Sequence, residues 1–497
     1  MMLSPRRFIA FALAFLTALL AASCGGAANS PVSKVDTENA ADATSGEIAE
    51  TNKINWESAN LPKKDFDGRE FVVLTHEPPN KQLTWYMVVP EELNGESLND
   101  AMYNRNAKIG EIYNTSIVSH YSTAIRTDAS NAIASGDTTF SAVFGRISDT
   151  YPLAQEGQFL NFHNLPYTNL EAPWWDQSIV RDLTYRGALY NLTGDISPAT
   201  NVRVYTMVFN KDMCKSLNLD YPYQYVYDGT WTIDRFNQYI TDVNTDLNGD
   251  SVMDYNDRWG FFSQDGCSWM MYFAGGGQVV VKDPSGELVV AYNTDRNIQL
   301  AIKALEIAID KSKTLMANQY VANNGGNWAT ATAWFANGGA LFRSSVLEPI
   351  PRDLRSLEVN FGIVPFPKLD EKQIQYYTLP EETSIMFSVP VTADPEFASL
   401  ILESLAAESV STISPAFYDI CLNGKVVRDE ESKGMLDIIF SNKIFDIGYI
   451  TNIGNFRTML VNLEKSASTD VASTFAKTLK SAETTLQKLC ENFEKIG

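Results

Sequence analysis

The densest array of oxygen donors in the chain is Asp246-Leu247-Asn248-Gly249-Asp250-Ser251-Val252-Met253-Asp254-Tyr255-Asn256-Asp257. Counting Asp246 as the first position, side-chain oxygens fall at 1, 3, 5, 9 and 12 (Asp246, Asn248, Asp250, Asp254 and Asp257), with the Val252 carbonyl at 7. That is EF-hand spacing, in which a hard cation gathers oxygens at about 2.3–2.6 Å. Ser251 stands where the turn glycine is usual and Asp257 where a bidentate glutamate is usual, so the loop resembles a dockerin-type calcium loop. One structural Ca2+ is the only cofactor the sequence points to. The same residues also suit an acidic, Asx-turn-rich surface loop with no ion.

The second chemical resource is aromatic. Trp85, Trp175 and Trp269 are candidates to stack on a small neutral ligand such as a sugar, which offers an apolar C–H face inside a ring of hydroxyls. For each of them core packing is the competing reading. Trp231 precedes the helix cap Thr232 and reads as its hydrophobic staple. Catalytic signatures are missing: three histidines stand far apart, and there is no G-x-S-x-G, H-E-x-x-H or Walker loop. The expectation is a binding protein and not an enzyme. A formal net charge of -21 opposes phosphate backbones, so no nucleic-acid partner is expected.

The N-terminus carries an address. Arg6 and Arg7 precede an apolar run from Phe8 to Leu20, too short for the ~20 residues of a spanning helix and of signal-peptide length. It ends in Leu20-Ala21-Ala22-Ser23-Cys24, which resembles a bacterial lipobox with Ala21 where leucine is commonest. Residues 1–23 are therefore expected to be a lipoprotein signal peptide, with Cys24 acylated. Residues 24–54 lack large apolar groups almost entirely and read as a flexible tether that reaches roughly 30 Å. The expected location is the cell surface, on the outer face of the cytoplasmic membrane. Cys214, Cys267, Cys421 and Cys490 show no metal-like spacing and read as small buried side chains, with disulfide pairing left open.

The elements that must position these groups follow from periodicity. Phe71–Thr75, Ile117–Ser119 and Phe140–Phe144 are short apolar runs that read as buried strands. Between the first two, a helix with Ser97 as its N-cap places Leu98, Met102, Ile109 and Ile112 on one face. Further strands are expected at Val202–Asn210 and Ala340–Ser344. Helices are expected at Thr232–Val243, at Phe397–Val410 behind Asp394-Pro395-Glu396, and from Asp470 to the C-terminus. Strand–helix alternation of this kind argues for an α/β fold with largely parallel sheets.

The order of several segments resembles extracellular solute-binding proteins of the family-1, maltose-binding-like kind, over roughly residues 66–490. The segments are Asp65-Phe66-Asp67-Gly68-Arg69-Glu70-Phe71, Ala172-Pro173-Trp174-Trp175-Asp176-Gln177, Phe209-Asn210-Lys211, and Gly229-Thr230-Trp231-Thr232 followed by the acidic loop and Trp259-Gly260-Phe261. They continue with Phe335-Ala336-Asn337-Gly338-Gly339-Ala340-Leu341-Phe342, then Phe361-Gly362-Ile363-Val364-Pro365-Phe366-Pro367-Lys368, then Ser388-Val389-Pro390. The resemblance implies a type II periplasmic-binding-protein-like fold, with two α/β lobes, a hinge and an interlobe ligand cleft. It implies a first lobe of 66–203 with 342–385 and a second of 204–341 with 386–497, with crossings near 203–209, 341–346 and 384–390. It places Gln264 and Trp269 in a stretch similar to one that lines the sugar cleft, and Arg343 beside a crossing as hydrogen-bond donor or interlobe ion-pair partner. The implied partners are a small solute, most simply a mono- or oligosaccharide, and the permease subunits of an ABC importer. A lipid-anchored sensor and a surface glycan-binding or glycan-hydrolysing protein are the alternatives.

Overall fold

The computed structural model describes residues 54–78, 84–323, 328–354, 359–422 and 430–496. The expected signal peptide, Cys24 and the tether up to residue 53 lie outside them. Among the described residues no helix is long and apolar enough to cross a membrane.

The described residues contain eleven strands: β1 Glu70–His76, β2 Ser116–Ser122, β3 Ala142–Arg146, β4 Tyr205–Asn210, β5 Trp259–Ser263, β6 Val280–Lys282, β7 Leu288–Val290, β8 Thr314–Met316, β9 Ala340–Val346, β10 Phe361–Val364 and β11 Ile385–Ser388. They form two main sheets, ordered β11-β3-β1-β2 and β10-β4-β9-β5-β8, and a hairpin β6-β7. In the first sheet β1 runs parallel to β2, with Phe71 opposite Ile117, and parallel to β3, with Leu74 opposite Val143. β11 closes that edge antiparallel, with Phe387 opposite Phe144 and the two rings stacked. Phe71, Val73 and Leu74 are fully buried, the continuous apolar signature of a strand covered on both faces.

The covering helices end where their sequences direct. Helix Ser97–Tyr113 buries Leu98, Met102 and Ile109, although its N-cap is Glu96, whose carboxylate accepts from Asn99 N–H, and Ser97 is its first residue. Thr232 caps Ile233–Ile240, and Asp394 accepts from both Glu396 N–H and Phe397 N–H ahead of Pro395–Ser409. The last helix, Val471–Ile496, buries Val471, Phe475, Leu486 and Phe493.

The division of the chain between the lobes differs from the expected one. β9 lies inside the second sheet, between β4 and β5, and β10 pairs with β4, so residues 342–364 belong to the second lobe. A strand bonded on both sides within one sheet cannot serve as a crossing. Conversely, β11 and the helices Pro395–Ser409 and Ile413–Leu422 belong to the first lobe. Both helices pack on Ser97–Tyr113, and Ser404 Oγ donates to Tyr113 Oη at 3.0 Å. Helix Glu430–Ser441 returns to the second lobe against β10. The crossing segments 202–205 and 379–382 run side by side: Tyr205 N–H donates to the Leu379 carbonyl and Glu381 N–H to the Arg203 carbonyl, at 3.0 and 2.8 Å.

Candidate functional site

Parallel strands aim their carboxyl ends at one edge of the sheet, and ligands of open α/β sheets bind outside that edge. At the ends of β1, β2 and β3 stand His76, Ser122 and Arg146. With Glu77, Thr123, Tyr86, Arg203 and Ile385 they enclose a cavity of about 520 Å³. That volume lies in the range of pockets for small organic ligands.

Arg203, in the crossing segment, organises its floor. Nη1 contacts Glu348 Oε2 at 3.1 Å and Glu381 Oε2 at 3.0 Å, and the guanidinium lies 5.5 Å over the Tyr86 ring. Tyr86 Oη donates to Glu348 Oε2. Burial raises the Tyr86 phenol far above its ordinary value, so it stays a neutral donor. Burial alone would lower Arg203, but Glu381, Tyr86 and Glu348 outweigh it and the net shift is upward. The lattice continues into the second lobe. Tyr205 Oη donates to Glu381, Trp269 packs at 5.3 Å from Tyr205 and 5.6 Å from Tyr449, and Tyr449 Oη donates to Glu382 at 2.7 Å. Arg457 pairs with the same Glu382.

Three buried nitrogens here have no hydrogen-bond partner among the described residues: Arg203 Nε, His76 Nε2 and Trp85 Nε1, the last one residue from Tyr86. His76 Nε2 is 3.3 Å from Asp149 Oδ2 but out of hydrogen-bonding alignment. Each such group costs about 1–3 kcal/mol, and native folds seldom tolerate several together unless the site has another use.

Of the residues singled out from sequence, Trp85 and Trp269 lie in or next to this lattice. Trp269 sits on helix Cys267–Ala274, close over Gly266, whose φ is +94°; a Cβ there would fall 2.2 Å from the indole nitrogen. The positive end of that helix is already occupied. Glu464 accepts from Gly266 N–H at 2.8 Å and from Ser268 N–H at 2.7 Å, which leaves no vacancy for an anionic ligand. Gln264 follows β5, and its carbonyl accepts from Cys267 N–H. Arg343 is central in β9, buried, with Nη1 donating to Thr332 Oγ1 at 2.7 Å inside the second lobe. Trp175 is inside the first lobe, 2% exposed, and it and Trp174 donate their indole N–H groups to the two oxygens of Glu403, each at 2.9 Å. Trp175 does not line the cavity between the strand ends.

In the acidic loop the carboxylates bind backbone. Asp246 accepts from Gly249 and Ser251 N–H, Asp250 from Val252 N–H, Asp254 from Asn256 N–H, and Asp257 from Leu247 and Asp254 N–H. Asn248 Oδ1 accepts from Asp250 N–H. Among the described residues no three His, Cys, Asp or Glu side chains gather to hold a metal ion. Cys214, Cys267 and Cys490 are free thiols.

His76, Tyr86, Arg203, Glu348, Glu381 and Glu382 were not among the sequence candidates. The positions just after the apolar runs at 71–75, 117–119 and 140–144 were a usable signal for His76, Ser122 and Arg146. The glutamates arrive from distant segments and had none.

No family model matches the sequence, and no curated protein matches it. Solved structures do match in fold. RafE of Streptococcus pneumoniae in its apo form superposes with a TM-score of 0.54 at 14% identity, covering 84% of this chain and 98% of RafE. A cyclo/maltodextrin-binding protein complexed with maltotetraose gives 0.52 at 14% identity, covering 87% and 98%. An ABC substrate-binding protein from Listeria monocytogenes in complex with cycloalternan gives 0.51 at 13% identity, covering 86% and 100%. Over the 84–87% of its length so matched, the chain thus has the two-lobe α/β fold of the substrate-binding proteins.

Proposed function

We propose that the protein is a lipid-anchored, extracytoplasmic receptor that captures a small neutral solute in the cleft and hands it to the permease of an ABC importer. The solute class we assign is a mono- or oligosaccharide. The observation that carries this reading is the pair of unpartnered buried nitrogens, Arg203 Nε and His76 Nε2, on residues that line the cavity at the strand ends, with Trp85 Nε1 one residue from its Tyr86. Sugar hydroxyls accept from such donors and donate to carboxylates like Glu348 and Glu381, while aromatic rings cover the C–H faces. The solved proteins of like fold that hold cycloalternan and maltotetraose support the choice. No residue is assigned a catalytic role. We also propose a structural Ca2+ for the Asp246–Asp257 loop, whose backbone bonds already curl it about its acidic side chains.

The test is a thermal-shift screen of the purified protein against maltotriose, raffinose, glucose and a set of short peptides. A ligand at 100 times its Kd stabilises by about 2.7 kcal/mol, and X-ray scattering of the same sample should show compaction as the lobes close. A screen in which only peptides shift the melting curve would replace the saccharide assignment. Turnover of an oligosaccharide would overturn the receptor reading.

A further inference from the structure

A second cavity, of about 390 Å³, shares no lining residue with the cleft. One wall is first-lobe chain from Pro173 to Ser178 and from Thr193 to Asn201, another the start of helix Ile413–Leu422, and the third the end of helix Glu430–Ser441 with Lys443. Because Asn201 and Lys443 come from opposite lobes, the cavity lies beside the crossing segments.

Its charges do not balance. Lys443 Nζ is spent on Asp176 Oδ2 at 3.0 Å, Asn201 Oδ1 at 2.9 Å and the Phe440 carbonyl at 2.9 Å, so its positive charge is matched by Asp176. Asp195 is left over. Ser414 Oγ donates to its Oδ1 at 2.6 Å. Burial pushes this carboxyl up to about 6, against the pull of Ser414 and Lys443, as expected for an anion short of a counter-charge. One part of the wall is aromatic, and hydroxyl and amide groups such as Ser197, Thr200 and Asn201 make up much of the rest. Phe417, Tyr418 and Phe440 form a mutually packed trio with centroids 6.1–6.3 Å apart. Trp174 and Trp175, also at this cavity, donate their indole N–H groups to Glu403.

We propose that this hinge-side cavity binds a small organic cation, an ammonium group carried on an apolar body, with Asp195 as its counter-ion and the Phe417, Tyr418 and Phe440 rings as the wall its apolar body packs on. A carboxylate beside an aromatic wall offers both attractions such a cation needs, ion pairing and the negative faces of the rings. An anion would meet Asp195. The site stands independently of the saccharide reading of the cleft.

The experiment is titration calorimetry of the full-length protein with choline and with 3,3-dimethylbutan-1-ol, which has nearly the same shape and no charge. Saturable 1:1 binding of choline is expected, at least about tenfold tighter than the alcohol. Asp195→Asn keeps the acceptor for Ser414 and removes only the charge, so it should weaken choline by about tenfold or more with the melting temperature preserved. Tyr418→Leu, at a half-buried wall position, should weaken it as well. Arg203→Lys in the cleft should leave choline binding unchanged. Equal affinity for both probes, no saturable heat, or an Asp195→Asn protein that binds choline normally would each overturn the proposal. Loss of choline binding in Arg203→Lys alone would place the cation in the cleft and overturn it too.

Discussion

Arg203→Lys separates the two roles that the cleft arginine can play. In the present geometry one guanidinium nitrogen, Nη1, serves Glu348 and Glu381, while Nε is buried with no partner among the described residues. Deleting the charge would strand two glutamates, and breaking a buried pair costs about 3–5 kcal/mol, so a neutral substitution would report mostly on stability. Lysine keeps a point charge between the carboxylates but has no Nε–H and no planar fork. If a ligand hydroxyl accepts from Nε, the loss is one charged hydrogen bond, about 1.5–3 kcal/mol. That corresponds to roughly 12–150-fold in Kd. The side chain is only 20% exposed, so solvent can restore little of it. Calorimetry with the saccharide selected by the thermal-shift screen reads the affinity, and urea unfolding of the same protein reads the stability. An unchanged Kd, with or without a lower melting temperature, would show that Arg203 only braces the crossing segments and would refute the argument.

Trp175→Ala should cost about 3–5 kcal/mol of stability in urea unfolding, because it empties a buried site and leaves half of Glu403 unpaired, while saccharide affinity of the folded fraction stays the same. Trp85→Phe retains the ring but deletes the unpartnered Nε1 donor; it should leave the melting temperature of the free protein within about 1 °C and weaken ligand binding measured by calorimetry. Millimolar calcium should raise the melting temperature relative to chelator, and Asp250→Ala should abolish the rise; superimposable curves would leave an ion-free loop held by its own backbone bonds. Cys24→Ala should move the protein from the membrane fraction to the soluble fraction, as followed by immunoblot.

The elements were more legible than their allegiance. The runs at Phe71–Thr75 and Phe140–Phe144, the cap at Thr232 and the Asp394-Pro395 helix start all announce themselves locally, because each rests on neighbours within about four residues. What sequence could not show is which sheet a strand joins. β9 and β11 are both short, apolar and buried, yet one pairs with β4 and β5 and the other with β3. The site suffers from the same blindness. Trp175 has the composition expected of a stacking residue, and only the position of Glu403 shows that its polar edge is spent inside the first lobe. Arg203 and Glu381 each look like an ordinary surface charge until the crossing segments bring them to 3.0 Å.

The interleaving of the lobes also constrains how the chain can reach this fold. Glu403 is bonded to Trp174, 229 positions earlier, and Glu464 to Gly266, 198 positions earlier. The first sheet lacks its β11 edge, and the second lobe lacks the cap on its Cys267 helix, until the final quarter of the sequence has been made. Contacts of such long range form slowly, since the entropy of closing the intervening loop must be lost before they contribute. During that interval β3 presents an unpaired apolar edge, a template for pairing with other chains. Such a polypeptide gains little from folding progressively as it elongates. It is suited to being held extended until its last residues are present and then collapsing as a whole.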